Sequence, residues 1–148
     1  MTDDIIRLIE AARTATGFAY APYSGFGVGA ALLLADGSII TGSNLENASY
    51  GMTLCAESAA LASANNIGRL HEVREIAVVG GVIRDGAARG MDPVRPCGRC
   101  RQMIKEASDV AGHDIVIHCA AAEGGARERY TLSTLLPHAF GPADLARD

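Results

Sequence analysis

Tryptophan is absent from this chain of 148 residues, and aromatic residues make up only 5% of it. A core built on large rings is therefore excluded. Alanine, glycine and branched aliphatics must fill the interior, which suits a compact α/β layer structure. Charge is also sparse: charged residues are 20% of the chain, the 13 basic residues are scattered, and the formal net charge is −4. That distribution offers no track for a phosphate backbone, so no nucleic-acid partner is expected. Long apolar runs are missing too. Val28 to Ala35, the longest in the N-terminal half, is far too short to cross a bilayer. The opening stretch MTDDIIRLIEAARTATGF is acidic where a secretory signal would be basic. These features predict a cytoplasmic protein with no membrane partner, whose cysteines serve as thiolates rather than disulfides. Linkers, low-complexity tracts and internal repeats are lacking. Residues 1–148 therefore read as one domain, of ordinary size and with enough apolar content (49%) to bury a core.

Apolar positions Ile5, Leu8, Ile9, Ala12 and Ala15 recur at helical spacing and predict a helix over 4–16. Residues 17–25 are turn-rich. Residues 28–35 read as a buried strand, Asp36-Gly37 as a hairpin turn and 38–42 as the returning strand. Residues 54–65, almost wholly apolar or small, predict a buried central helix. A strand over 75–79 follows, then a glycine-containing segment, 80–96, read as an irregular loop. A helix over 98–108, a strand over 113–119, a short edge strand over 130–132 and a last short helix over 133–137 complete the chain. Strands separated by helices require crossovers, so part of the sheet must be parallel. The expectation is a three-layer α/β/α fold with one mixed sheet of about five strands flanked by helices.

Three of the four cysteines carry the chemistry. Cys55 lies in Leu54-Cys55-Ala56-Glu57 at the start of one helix, and Cys97 and Cys100 lie in Pro96-Cys97-Gly98-Arg99-Cys100 at the start of the next. A CxxC turn brings two sulfurs to one metal ion, and a third from a neighbouring element leaves a tetrahedral ion one open position. Helix N-termini favour thiolate over thiol. Three protein ligands and a free position describe a catalytic zinc rather than a structural one. Glu57, two residues beyond Cys55, is placed to take a proton from a zinc-bound water and pass it to a leaving amine. A CxxC alone also fits a redox pair. The spare Cys119 ends an apolar strand and reads as a small buried hydrophobe. His71, His113 and His118 show no ligand spacing and read as surface or strand-end residues, and His138 has no clear place.

The combination of C-A-E with a later P-C-x-x-C resembles the signature of zinc-dependent deaminases, in which the glutamate is a proton shuttle rather than a ligand. The chain resembles the small homotetrameric cytidine deaminases of pyrimidine salvage from about Tyr20 to Leu145. The resemblance runs through PYSGFGVGAAL, NLENASYGMTLCAES, PCGRCRQ and LLPHAFGPADL. It implies one Zn²⁺ per subunit, held by Cys55, Cys97 and Cys100. It implies hydrolytic deamination of cytidine and deoxycytidine to uridine and deoxyuridine with release of ammonia. It matches Asn44 and Glu46 to residues that bind the ribose hydroxyls, Phe26 to a ring lying on the pyrimidine, and Ala56 to a backbone contact near the ring carbonyl. It also matches Ala48 and Tyr50 to residues reaching a neighbour's ribose, and Phe140 to an aromatic that covers a neighbour's base. The homotetramer would thus share its active sites between subunits.

Other readings stand beside these. Phe26 and Phe140 also fit core aromatics, and Asn44 and Glu46 fit ordinary turn and surface positions. A deaminase for a modified cytosine nucleoside (blasticidin S type or N4-substituted) and a non-catalytic zinc- or nucleoside-binding module are the alternatives for the whole chain. Two departures from the family pattern bear on the site. Ser58 stands where many three-cysteine members carry an arginine that offsets thiolate charge, leaving Arg99 or Arg101 to compensate. The segment 81–94 is longer than the family usually has.

Overall fold

The structure, a computed structural model, describes residues 2–145. The chain forms α1 (Asp3–Ala15), β1 (Phe26–Leu34), β2 (Ile39–Ser43), α2 (Ala56–Asn66), β3 (Val73–Arg84), β4 (Ala87–Arg89), α3 (Gly98–Ala111), β5 (Val116–Ala121), β6 (Arg127–Thr131) and α4 (Leu132–Leu135). The sheet runs β2-β1-β3-β5-β6, with β4 paired to the far end of β3. All pairings are antiparallel except β3 with β5, which are parallel and joined by the crossover through α3. This is the expected mixed sheet between helical layers, with one strand more than expected.

Two apolar layers hold it together. On one face α1 buries Leu8, Ile9 and Ala12 against Ala31, Leu33, Ala77, Val79 and Ala120. On the other, α2 and α3 bury Ala56, Ala60, Leu61, Ile104 and Ala107 against Leu32, Ile76, Val78, Ile117 and Cys119. Central strands covered on both faces need apolar residues at successive positions, which is why β1 and β3 read as near-continuous hydrophobic runs. Cys119 sits in this second layer fully buried, and burial pushes its thiol up to about 12. Among the described residues no helix is long and apolar enough to cross a membrane.

The segment 80–96 corrects the expectation of an irregular loop. β3 continues to Arg84 and turns back through Asp85 and Gly86, both at positive φ (50° and 76°), into β4. Asp-Gly is the residue pair that a two-residue hairpin turn demands. The same pair stands in the β1–β2 turn at Asp36-Gly37, where Gly37 has a φ of 83°. His118 is a second correction: it is buried rather than a strand-end surface residue, with Nε2 2.5 Å from Glu75 Oε2.

Candidate active site

α2 and α3 lie on the same face of the sheet and start at the same end of it. Cys55 is the N-cap residue of α2 and Cys97 that of α3, both with extended backbone, and Cys100 falls in the first turn of α3. The three sulfurs lie within 4.8 Å of one another. Cys55 Sγ and Cys97 Sγ are 3.7 Å apart. Two helix N-termini thus direct their positive ends at one cluster, the electrostatic setting that thiolates need. A hydrogen bond from Cys100 holds the Cys55 thiol below its usual value. Three soft, converging sulfur donors at this separation fit a tetrahedral zinc ion with one position left for chemistry.

Glu57 is 3% exposed, and its Oε2 accepts a hydrogen bond from Cys100 Sγ at 3.5 Å. Burial pushes its carboxyl above the usual carboxylate range. A buried carboxylate lifted toward neutrality is the kind of group that can both take and return a proton. Ser58, 5% exposed, stands with its hydroxyl 3.5 Å from Cys100 Sγ, so it meets one ligand sulfur with a hydrogen bond instead of a cation. The two arginines that flank Cys100 on α3 both bond to backbone carbonyls. Arg99 Nη1 donates to the Thr53 carbonyl at 3.2 Å, and Arg101 donates to the carbonyls of Pro96 and Leu135, each at 2.9 Å.

A cavity of about 210 Å³ opens over Cys55, Ala56, Glu57 and Cys97, walled by Val28, Asn44, Thr53, Leu54, Val94 and Arg95. Asn44 is half-buried. Its Oδ1 accepts from the Val28 amide at 2.8 Å and its Nδ2 donates to the Phe26 carbonyl at 2.9 Å. The side chain thereby extends the β1–β2 ladder past its last residue pair, and one amide N–H and one lone pair remain for a ligand. Glu46 lines an adjoining cavity with Tyr23, Ser24, Tyr50 and Thr53. It accepts from the Tyr23 and Ser24 amides at 2.8 and 3.2 Å and from the Ser24 hydroxyl. Those bonds, the hydroxyl's first, hold its carboxyl below the usual range, so it stays ionised and fixed in direction.

Phe26 is half-buried at the start of β1, opposite Val82. Its ring lies across Gly80, where even a Cβ would sit 3.3 Å from the ring edge. Ala48, Tyr50 and Phe140 do not wall this chain's own Cys55–Glu57 cavity. Tyr50 is 73% exposed with its ring 5.5 Å from that of Tyr23, and Phe140 is 58% exposed beside α3. Sequence reasoning passed over Arg95, which walls the cavity and donates to Glu128 Oε1 at 2.6 Å and to the Tyr130 hydroxyl at 3.3 Å. Its position two residues before Cys97 was the available signal.

Comparison with known proteins agrees with this geometry. The family model described as the cytidine and deoxycytidylate deaminase zinc-binding region matches residues 2–119. The cytidine deaminase of Halalkalibacterium halodurans is 46% identical over 138 residues, covering 93% of this chain and 95% of that protein. The cytidine deaminase of Mycobacterium tuberculosis is 41% identical over 141 residues, covering 94% and 90%. The crystal structure of cytidine deaminase from Burkholderia pseudomallei superimposes with a TM-score of 0.79 at 42% identity, covering 95% of this chain and all of the other. A match of that length to the zinc-binding model, together with near full-length likeness in sequence and in fold, means that this chain belongs to the cytidine and deoxycytidylate deaminase family.

Proposed function

We propose that Glu57 carries the protons of a zinc-dependent hydrolytic deamination that converts cytidine and deoxycytidine to uridine and deoxyuridine with release of ammonia, performed by residues 1–148 as one domain. The observation that carries the reading is the buried Glu57 carboxylate beside three converging sulfurs at the floor of a cavity. Cys55, Cys97 and Cys100 would hold the zinc, whose chemistry there is to make water nucleophilic near neutral pH. Glu57 accepts the proton of the attacking water and delivers it to ring N3. It then takes the second proton from the hydroxyl now on C4 and passes it to the amine, so that the C4 carbonyl forms as the C–N bond breaks and ammonia leaves. Phe26 stacks on the pyrimidine, and the Ala56 backbone meets the ring carbonyl. Asn44 and Glu46 receive the ribose hydroxyls. The fixed negative charge of Glu46 repels a phosphate there, which selects the free nucleoside.

The chain acts as a homotetramer in the cytoplasm, with Ala48, Tyr50 and Phe140 serving neighbouring sites. Two observations support the sharing. A cavity of about 210 Å³ is small for a nucleoside when set against the ~300 Å³ at which ligand pockets usually begin. The large exposed ring of Phe140 lines neither the Cys55–Glu57 cavity nor the adjoining Glu46 cavity of its own chain. The names of the relatives favour the plain nucleoside over a modified cytosine, and a buried Glu57 would have no use in a silent zinc-binding module. The deciding experiment is Glu57→Ala, followed by metal analysis and the ultraviolet absorbance change on cytidine. The variant should keep its zinc and lose turnover. Full activity would remove Glu57 from the role assigned to it.

A further inference from the structure

After α4 the chain runs beside α3 as a strap, from Leu136 to Leu145. Leu136 at its root packs against the core, but beyond it apolar packing does little to seat the strap. A groove of about 470 Å³, lined by Lys105, Ser108, Asp109, Leu136 and His138 among others, separates strap from helix, and Pro137, His138 and Phe140 are exposed. Two consecutive side chains of α3 grip the strap instead. Arg101 Nη1 donates to the Leu135 carbonyl at its root, and Gln102 Nε2 donates to the Phe140 carbonyl, each at 2.9 Å. Between these grips His138 holds φ at 54°, the left-handed region that a residue with a side chain seldom adopts. Such a conformation persists where the surroundings over-determine it. Just beyond, Gly141 passes so close to α3 that a Cβ would stand 2.9 Å from Lys105 Nζ, and its N–H is held by Asp144 Oδ2 at 2.8 Å.

We propose that Gln102 is the positioning residue for Phe140: its amide fixes the backbone at that residue so that an otherwise unsupported ring is held ready for the base in a neighbouring subunit. This inference rests on the reading that Phe140 covers a neighbour's site. An exposed aromatic on an unanchored strap would have to be ordered each time substrate binds, and that entropy loss would be subtracted from affinity. Gln102 removes the loss in advance. The same helix opens with Cys97 and Cys100, so one rigid element carries two zinc ligands for its own site and sets the cap for another.

The test uses the intact protein and Gln102→Met, which keeps the length of the side chain and removes the donor. Loss of one neutral hydrogen bond should raise KM for cytidine about three- to tenfold, with kcat within about twofold. Zinc content and oligomeric mass should be unchanged. Gln102→Lys, which restores an N–H donor, should bring KM back. Because the chain has no tryptophan, Phe140→Trp supplies a single emitter on the strap. Its quenching by acrylamide should increase when Gln102→Met is added. In a Phe140→Ala background, Gln102→Met should add nothing to KM. A Phe140→Ala variant with unchanged KM would overturn the capping reading and this inference together. A KM defect for Phe140→Ala, with neither KM nor tryptophan quenching altered by Gln102→Met, would overturn the inference alone.

Discussion

Gly42 is the point where β2 meets the backbone of α2. A Cβ at this position would lie 2.4 Å from the Ala56 carbonyl oxygen, 2.5 Å from the Ala60 amide nitrogen and 3.1 Å from the Ala60 Cα. All three are backbone atoms, so no rotamer change relieves the clash. To restore ordinary contact in Gly42→Ala, α2 must retreat by about 1 Å, taking Cys55 and Glu57 with it while Cys97 and Cys100 stay on α3. Overpacking of this kind costs about 1–3 kcal/mol. At about 2–4 °C per kcal/mol for a chain of this size, Tm should fall by about 2–12 °C. The catalytic effect should be larger. Zinc–ligand distances tolerate only ~0.2 Å, and a displacement of about 1 Å at a reacting group can lower the rate ~100-fold. The assay is kcat/KM on cytidine by ultraviolet absorbance, with zinc stoichiometry and Tm measured on the same preparation. Loss of kcat/KM well beyond the loss of folded protein is expected. Wild-type zinc content and wild-type kcat/KM in Gly42→Ala would refute the claim that the seat of α2 on β2 sets the geometry of the site.

Acid and chelators give further tests. Ser38, through its hydroxyl and amide, and Arg69 hold the Asp36 carboxyl well below the usual range, tying the β1–β2 turn to Arg69 just beyond α2. A depressed pKa means that the stability contributed is present above the unfolded value of about 3.9 and is lost as pH falls through the folded one. Asp36→Asn should therefore flatten the fall of Tm below about pH 4 and leave the neutral limb lower than wild type; an unchanged acid limb would contradict the assignment. Removing zinc with a chelator should lower Tm reversibly, since metal at 100 times Kd contributes about 2.7 kcal/mol. Added zinc should restore both Tm and turnover while magnesium, a poor partner for thiolate, should not. Identical Tm values for the loaded and stripped protein would mean that the three sulfurs do not hold the ion.

The core elements were legible because their signals are local. The helical stripe Leu8, Ile9, Ala12, Ala15 and the apolar run of β1 declare their burial within a few residues, and Cys55, Ala56 and Glu57 declare theirs through spacing to Cys97 and Cys100. The β3–β4 hairpin was missed although Asp85-Gly86 carries the turn chemistry. Glycines at 80, 81, 86 and 90 obscured the alternation, and Gly81 is there because the Arg89 carbonyl passes 2.2 Å from where its Cβ would be. The burial of His118 was not legible either, because its partner Glu75 is 43 residues away and becomes its neighbour only through the parallel pairing of β3 with β5. Arg95 was hidden for a similar reason: its partners Glu128 and Tyr130 lie on β6, far along the chain.

Placing the three sulfurs on two successive helices also dictates when their set is complete. Cys55 leaves the ribosome more than forty residues before Cys97, and α3, once made, finds α2 and β3 already there to dock against. A nascent chain that has made β1, β2 and α2 holds a lone thiol and nowhere to keep an ion. The ligand set is thereby incomplete until α3 has docked, and until then the sulfurs destined for it remain separate and open to oxidation. Bound zinc in this fold therefore reports that α2 and α3 have come together.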